Sequence, residues 1–210
     1  MNPVKQHYEN MAQELMKKLQ KRKFDAYYCP DKESALNKAL ELIPQGSKVS
    51  NGGSMTIKEI GLLDKITKGN YVYTDRHAGS TPEELKQSLI NSTFCEYYLM
   101  STNAITKDGE LVNIDGYGNR VAALTFGPDN VILIVGMNKV CEDIDNAIWR
   151  CQNIASPKNT VRINKKTPCS ITGFCGDCYG DDSICSSIVI TRKSRNGRVK
   201  IILVGEALGY

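Results

Sequence analysis

Apolar positions along this chain alternate between helical and extended spacing, and their order predicts an α/β fold. Val4, Tyr8, Met11, Leu15 and Leu19 recur every three or four residues, which places them on one stripe of a helix. Lys17, Lys18, Lys21, Arg22 and Lys23 load the end of that helix, where the dipole favours cations. Asp25 to Cys29 is a short strand. Asp31 then caps a helix with Ala35, Leu36, Ala39, Leu40 and Ile43 on one face, stopped by Pro44-Gln45-Gly46. Lys48-Val49-Ser50 opens the next strand, and a helical stretch follows from Thr56 to Ile66. Tyr71 to Thr74 is extended. Thr81-Pro82-Glu83-Glu84 is a helix start, with a capping hydroxyl, proline at the first position and acids in the first turn, and the helix runs to about Asn91.

The second half continues the rhythm with one interruption. Phe94 to Met100 reads as a strand, and Lys107-Asp108-Gly109 turns the segment after it back through Glu110 to Asp115, an antiparallel insertion. Val131 to Gly136 is apolar throughout, as in a strand buried on both faces. A helix from Glu142 to about Ala155 carries Ile144, Ala147, Ile148 and Cys151 on one side. Ser187 to Thr191 and Val199 to Val204 flank Ser194-Arg195-Asn196-Gly197, which predicts a closing hairpin. Residues 1–24 are thus an N-terminal helix packed on a single domain spanning 25–210. At 210 residues and 41% hydrophobic, the chain can bury a sizeable core.

Four of the eight cysteines fall between 165 and 187, as Cys169, Cys175, Cys178 and Cys185. Thiolates two residues apart on a tight turn can point at one centre, and flanking cysteines can fold back to complete a four-sulfur cage. Metal binding is the leading reading; a redox-active dithiol and inert thiols are its competitors. One Cys-x2-Cys pair between two single cysteines suits a 4Fe-4S iron-sulfur cluster somewhat better than zinc, whose ribbons usually show two such pairs, but zinc stays open. The N-terminus lacks the apolar core of a signal peptide and no run is long enough for a membrane span, so a cytoplasmic chain with no membrane contact is expected, where clustered cysteines serve as ligands more often than as bridges. Cys29, Cys95, Cys141 and Cys151 read as small hydrophobes, the first two in or beside strands and the last two on the helix from Glu142.

Charge marks the same region. Nine Lys/Arg against three acids from Pro157 to Lys200 give a local balance of +6 in a chain of net +4. That favours thiolates and attracts an anionic substrate or partner, although a solvated basic face is the plainer account. The cations are not interleaved with aromatics and the overall excess is small, so nucleic acid is not expected. A second candidate site is Asn51-Gly52-Gly53-Ser54 between strand and helix, where backbone N–H groups at a helix start can meet an anion; a tight turn is the simpler reading. His7 and His77 form no recognisable nucleophile-base pair, and Asp115 and Arg120 flank a glycine turn as a surface ion pair would.

These segments resemble the LUD (lactate-utilisation, formerly DUF162) domain family. The resemblance is carried by Ser50 to Leu62, by Ser101 to Thr106 with Gly109 to Gly116, by Asn119-Arg120-Val121 and Phe126-Gly127-Pro128, and by Asn130 to Val140 with Asp143 to Ala147. It implies a three-layer Rossmann-like sheet of the NagB/RpiA/CoA-transferase type, with the cysteine-rich segment as a small insertion. The segment Thr167-Pro168-Cys169 to Cys178 and Cys185 resembles that of a subgroup for which an iron-sulfur cluster is expected. The best-known members of the family belong to a bacterial lactate-oxidation system with iron-sulfur partners. The resemblance therefore implies an iron-sulfur redox or electron-transfer component of small organic-acid metabolism, with a small anionic ligand and a redox protein as partners. Gly52, Gly53, Ser54, Thr56 and Glu59 would face a pocket completed by Asn103 and Gly127, with Glu59 as the candidate acid-base group. A binding or regulatory domain with a structural metal, and a group-transfer enzyme of the same superfold, are the alternatives.

Overall fold

In the computed structural model, which describes residues 2–210, the first helical stripe forms α1 (Pro3–Lys21). The Asn2 side chain accepts hydrogen bonds from the N–H groups of Val4 and Lys5, and Pro3 sits where no N–H is needed. Ala12, Leu15 and Leu19 are buried against the domain, while Val4 stands in solvent. Then come β1 (Asp25–Cys29), α2 (Lys32–Glu41), β2 (Lys48–Asn51), α3 (Met55–Glu59), α4 (Leu62–Lys68) and β3 (Val72–Tyr73). The expected helix over 56–66 is two helices, because Gly61 takes a left-handed φ of 73° that only glycine adopts cheaply.

The middle of the chain holds α5 (Pro82–Thr93), β4 (Tyr97–Met100), β5 (Ala104–Thr106), β6 (Leu111–Asp115), α6 (Asn119–Thr125) and β7 (Asn130–Gly136). The strand expected from Phe94 begins only at Tyr97, since α5 runs on to Thr93. Thr81 caps α5 as its sequence foretells: its hydroxyl accepts from the Glu84 N–H, and the Glu84 carboxylate accepts from the N–H groups of Ser80 and Thr81. Thr81→Ala is expected to cost about 1 kcal/mol, read from urea denaturation, whereas a cap that did nothing would leave the midpoint unmoved.

Beyond β7 lie β8 (Val140–Cys141), α7 (Ile144–Arg150), α8 (Ser156–Arg162), α9 (Pro168–Thr172), β9 (Ser187–Thr191) and β10 (Val199–Val204). Cys141 is therefore on a strand and not on the helix expected from Glu142. That helix also runs longer than the apolar pattern suggests, because a π-helical turn over Cys151–Ala155 joins α7 to α8 without a break.

The main sheet has the order β1-β10-β7-β4-β2-β3, and every neighbouring pair is parallel. Its strands bury both faces. Val131, Leu133 and Val135 of β7 pack with α1 and α6, whereas Ile132 and Ile134 pack with α2, α3 and α4, giving three layers. Each such side chain contributes roughly 1.5–3 kcal/mol by leaving water. A second sheet, β8-β5-β6-β9, contains the antiparallel β5-β6 hairpin turned at Gly109 and packs Val112 and Ile114 on Ala147 and Cys151.

The predicted closing hairpin does not form. β9 pairs antiparallel with β6 at the edge of the second sheet, with Ile188 and Ile190 exposed, while β10 lies between β1 and β7 in the first. The difference is burial. Val199, Ile201, Ile202, Leu203 and Val204 are apolar enough to occupy a two-sided interior slot, and the Ser187–Thr191 segment is not. Among the described residues, no helix is long and apolar enough to cross a membrane.

Candidate functional site

From β2 the chain moves outward to β3, then returns to the other side of β2 as β4. At such a switch point the connections leave in opposite directions and open a crevice beyond the carboxyl ends of the strands. A cavity of about 470 Å³ lies there. Its walls come from the loop after β2 (Gly53, Ser54, Thr56), the segments after β3 (Arg76, His77) and β4 (Ser101, Asn103), and Lys139 just beyond β7.

Cations dominate the lining, with Arg76, Arg120, Lys139, Arg162 and Lys165 against Asp115 and Asp181. Arg120 is fixed. Its guanidinium donates to Asp115 Oδ2 at 3.3 Å, Asn103 Oδ1 at 2.9 Å, Asn113 Oδ1 at 3.2 Å and the carbonyls of Ile114 at 2.6 Å and Ser101 at 3.4 Å. The Arg120 and Asp115 side chains are only 15% and 8% exposed, so the surface pair expected from sequence is a buried one. Arg76 and Arg162 are different. A side-chain carbon on Gly53 would stand 3.0 Å from Arg76 Nη2 and 3.7 Å from Arg162 Nη2, so both guanidiniums converge above that glycine. Among the described residues neither meets a carboxylate within ion-pair distance, and two like charges focused on one point favour an anion there. The π-helical turn precedes Ser156, Asn159 and Arg162, all on this wall.

Lys139 is 2% exposed, and its Nζ donates to Thr56 Oγ1 and Ser101 Oγ, each at 2.9 Å. Burial, followed by the charges of Arg150 and Arg120, lowers its pKa to about 7. Arg150 is itself buried, holding the carbonyls of Asn103 and Asn138 and so tying the loop after β4 to the turn carrying Lys139. His77 is exposed at the rim, where burial of its ring and then Arg76 lower its pKa.

The cysteine segment forms the remaining wall. Asp181, Ser183, Ile184 and Ser186 line the cavity, while Cys185, between them in sequence, turns its Sγ to within 3.5 Å of Ser156 Oγ on the same wall. Thr167 caps α9, placing buried Cys169 with its sulfur 3.2 Å from Thr167 Oγ1 and 3.5 Å from Thr160 Oγ1. The following loop folds back so closely that a Cβ on Gly176 would meet Pro168 Cβ at 3.0 Å, which returns Cys175 and Cys178 toward Cys169. Asp182 clasps the base of the lobe, accepting from Lys165 Nζ and the Lys166 N–H at 2.9 Å each. The Cys185 thiol is pushed up first by burial of its sulfur; Ser156 opposes that, and the sulfurs of Cys169, Cys175 and Cys178 add to it, so each of those three lies within Coulombic range of Cys185. Among the described residues no three His, Cys, Asp or Glu side chains are arranged to hold one metal ion. The other cysteines behave as small hydrophobes: burial pushes the thiols of Cys29 and Cys141 up, Cys95 to about 11 and Cys151 to about 12.

Of the residues expected at the glycine-loop pocket, Gly53, Ser54, Thr56 and Asn103 line it and three do not. Gly52 is buried behind the wall against Arg120 and the Tyr98 hydroxyl. Glu59 is outside, accepting from the Gly209 N–H at 2.7 Å and so fastening the segment after β10. Gly127 packs on the Thr93 carbonyl ahead of β7, at the amino end of a strand whose carboxyl end faces the pocket. Nor does a helix start supply the positive potential, since α3 has only five residues and Ser54 Oγ already accepts from the Ile57 N–H. Arginine and lysine side chains supply it. Lys139 and Arg76 have a sequence signal in following strands β7 and β3, because residues past the carboxyl ends of parallel strands face the crevice. Arg162 has none, since the π-helical turn that precedes it has no apolar signature.

A parallel sheet with helices on both faces and a ligand crevice at its carboxyl edge defines a three-layer, Rossmann-like α/β protein. The chain belongs to the LUD domain family, whose model matches residues 12–204. The structure is similar to the crystal structure of a DUF162 family protein from Deinococcus radiodurans, with a TM-score of 0.55 over 94% of this chain and 98% of that one. At 10% sequence identity, that likeness concerns the fold alone. No curated protein matches the sequence.

Proposed function

We propose that this LUD-domain protein is an iron-sulfur redox or electron-transfer component of small organic-acid metabolism. The organic anion occupies the cationic pocket, and Cys169, Cys175, Cys178 and Cys185 hold the cluster. The observation that carries the reading is the shared wall: the stretch containing Cys185 also lines the cavity. This reading sets ligand and cluster on the two sides of one wall.

The spacing of the cysteines, one Cys-x2-Cys pair between two single cysteines, suits a cluster somewhat better than zinc. Tetrahedral zinc with bonds of about 2.3 Å needs sulfurs packed round one point. A cubane cluster spreads its four iron corners and takes its thiolates further apart. When bound, such a cluster supplies one-electron exchange without an open ligand position. The protein does the rest. Arg76 and Arg162 receive the carboxylate, Arg120 stiffens the wall through Asp115, and the hydroxyls of Ser156, Thr160 and Thr167 lie beside the cysteine sulfurs, where they tune thiolate ligands.

Anaerobic purification with iron, acid-labile sulfide and visible absorption measured together tests this. Iron and sulfide in near-equal amounts are expected, with the chromophore lost in Cys175→Ser and Cys178→Ser. Stoichiometric zinc without sulfide would overturn the electron-transfer reading.

A further inference from the structure

The floor of the pocket carries a group that the redox reading leaves idle. Lys139 donates to Thr56 and Ser101, and both hydroxyls spend their own protons on carbonyls, Ser101 on Ile134 at 2.6 Å and Thr56 on Leu208 at 3.4 Å. Each hydroxyl can therefore only accept from Lys139. A neutral amine has two N–H donors and an ammonium three. Two acceptors satisfy the amine completely, whereas the ammonium would keep an unpaired N–H in a buried place where, among the described residues, no carboxylate lies within ion-pair distance. The lone pair is then the one unengaged position on Nζ, and Lys139 lines the cavity.

We propose that Lys139 is a nucleophile that captures the carbonyl carbon of a small 2-oxo acid as an imine, with the acid's carboxylate against Arg76 and Arg162. This rests on the reading that the pocket takes a small organic anion, and it names the substrate class: the oxo form of such an acid. The lone pair of Nζ forms the new N–C bond while the carbonyl π pair moves to oxygen. One proton leaves nitrogen for that oxygen, giving a carbinolamine. Loss of the hydroxyl with the second nitrogen proton releases one water and leaves the neutral C=N bond, with no change in oxidation state. Thr56 and Ser101 hold both N–H groups and so stand where those protons depart.

The electrostatics agree with this geometry. The groups acting on Lys139 are Arg150 from α7 and Arg120 from α6, with Glu59 and Cys151 weaker and opposed, and burial outweighs them all. With its pKa lowered to about 7, much of the amine is free at neutral pH. For an ordinary lysine the free fraction is on the order of one part in a thousand. Buried lysines beside other cations are activated as nucleophiles in this way.

The test is reductive trapping of the full chain with pyruvate or glyoxylate and cyanoborohydride, followed by intact mass and peptide mapping. One adduct per chain is expected, on Lys139, forming at least roughly tenfold faster than on any surface lysine at pH 7, from the ratio of free-amine fractions. It should be absent in Lys139→Arg and Lys139→Met, two variants so that a folding failure of one does not decide the matter, with circular dichroism confirming the fold. Adducts spread evenly over surface lysines, or an unchanged yield in Lys139→Met, would overturn the proposal. Calorimetry with lactate separates the two readings. Lactate binding without an adduct sinks the imine alone; absence of both sinks the anion pocket as well.

Discussion

Arg120→Ala will destabilise the folded chain by about 3–5 kcal/mol, the usual loss when one partner of a buried ion pair is removed. Asp115, 8% exposed, would keep its charge without a counter-ion, and the oxygens of Asn103, Asn113 and Ile114 would lose a donor. For a chain of this size the midpoint of thermal unfolding should fall by at least about 6 °C. The exposed Glu14–Lys17 pair, with side chains 70% and 64% exposed, sets the contrast; breaking it should leave the unfolding midpoint nearly unmoved. Asp115→Ala combined with Arg120→Ala should lose less than the two single losses added, since the stranded charge is gone. Urea denaturation of all three variants decides this. A loss below about 1 kcal/mol for Arg120→Ala would mean that the network does not hold the wall.

Lys139→Met should change how stability depends on pH. Folding lowers the Lys139 pKa to about 7, while the unfolded chain keeps the ordinary value of about 10.4. Below pH 7 both states are charged and the folded chain bears the full cost of burying an ammonium. Between the two values the unfolded chain binds the extra proton, so stability rises with pH by up to about 1.4 kcal/mol per unit. Above pH 10.4 both states are neutral and the rise ends. The methionine variant lacks this slope. Wild-type stability minus variant stability should therefore climb by about 3 kcal/mol from pH 7 to pH 10, with other groups cancelling. Denaturation at a series of pH values measures it, and a flat difference would show that Lys139 titrates normally.

Much of this architecture is legible in the sequence because local rules and burial agree. Asp31 and Thr81 cap helices where their side chains and neighbours say they should, and the apolar run at Val131 does fill a two-sided strand. Legibility fails where a segment chooses its partner at a distance. Asn196-Gly197 between two extended runs looks like a hairpin turn, yet the runs enter different sheets because only the second is apolar enough for an interior slot. The candidate site divides the same way. Gly53, Ser54, Thr56 and Asn103 lie just past strand ends and were readable. The family resemblance puts Gly52, Glu59 and Gly127 in the pocket as well, but a matching motif does not say which side chains reach the cavity or which end of the sheet they occupy. Cys169 to Cys185 can be counted from the sequence, but that the residues flanking Cys185 line the pocket, opposite Ser156 and Asn159 after a π-helical turn with no apolar signature, cannot be read there.

The placement of β10 bears on how the chain is made. Asp25 to Cys29 at one edge finds its strand partner in Lys200 to Val204, so the first strand waits for the last. Without β10, β1 and β7 have no strand between them to pair with. Closure is then a long-range event that comes late, and such events slow folding and leave strand edges free to pair with the wrong chain. The main sheet is thus completed by a keystone drawn from far along the chain.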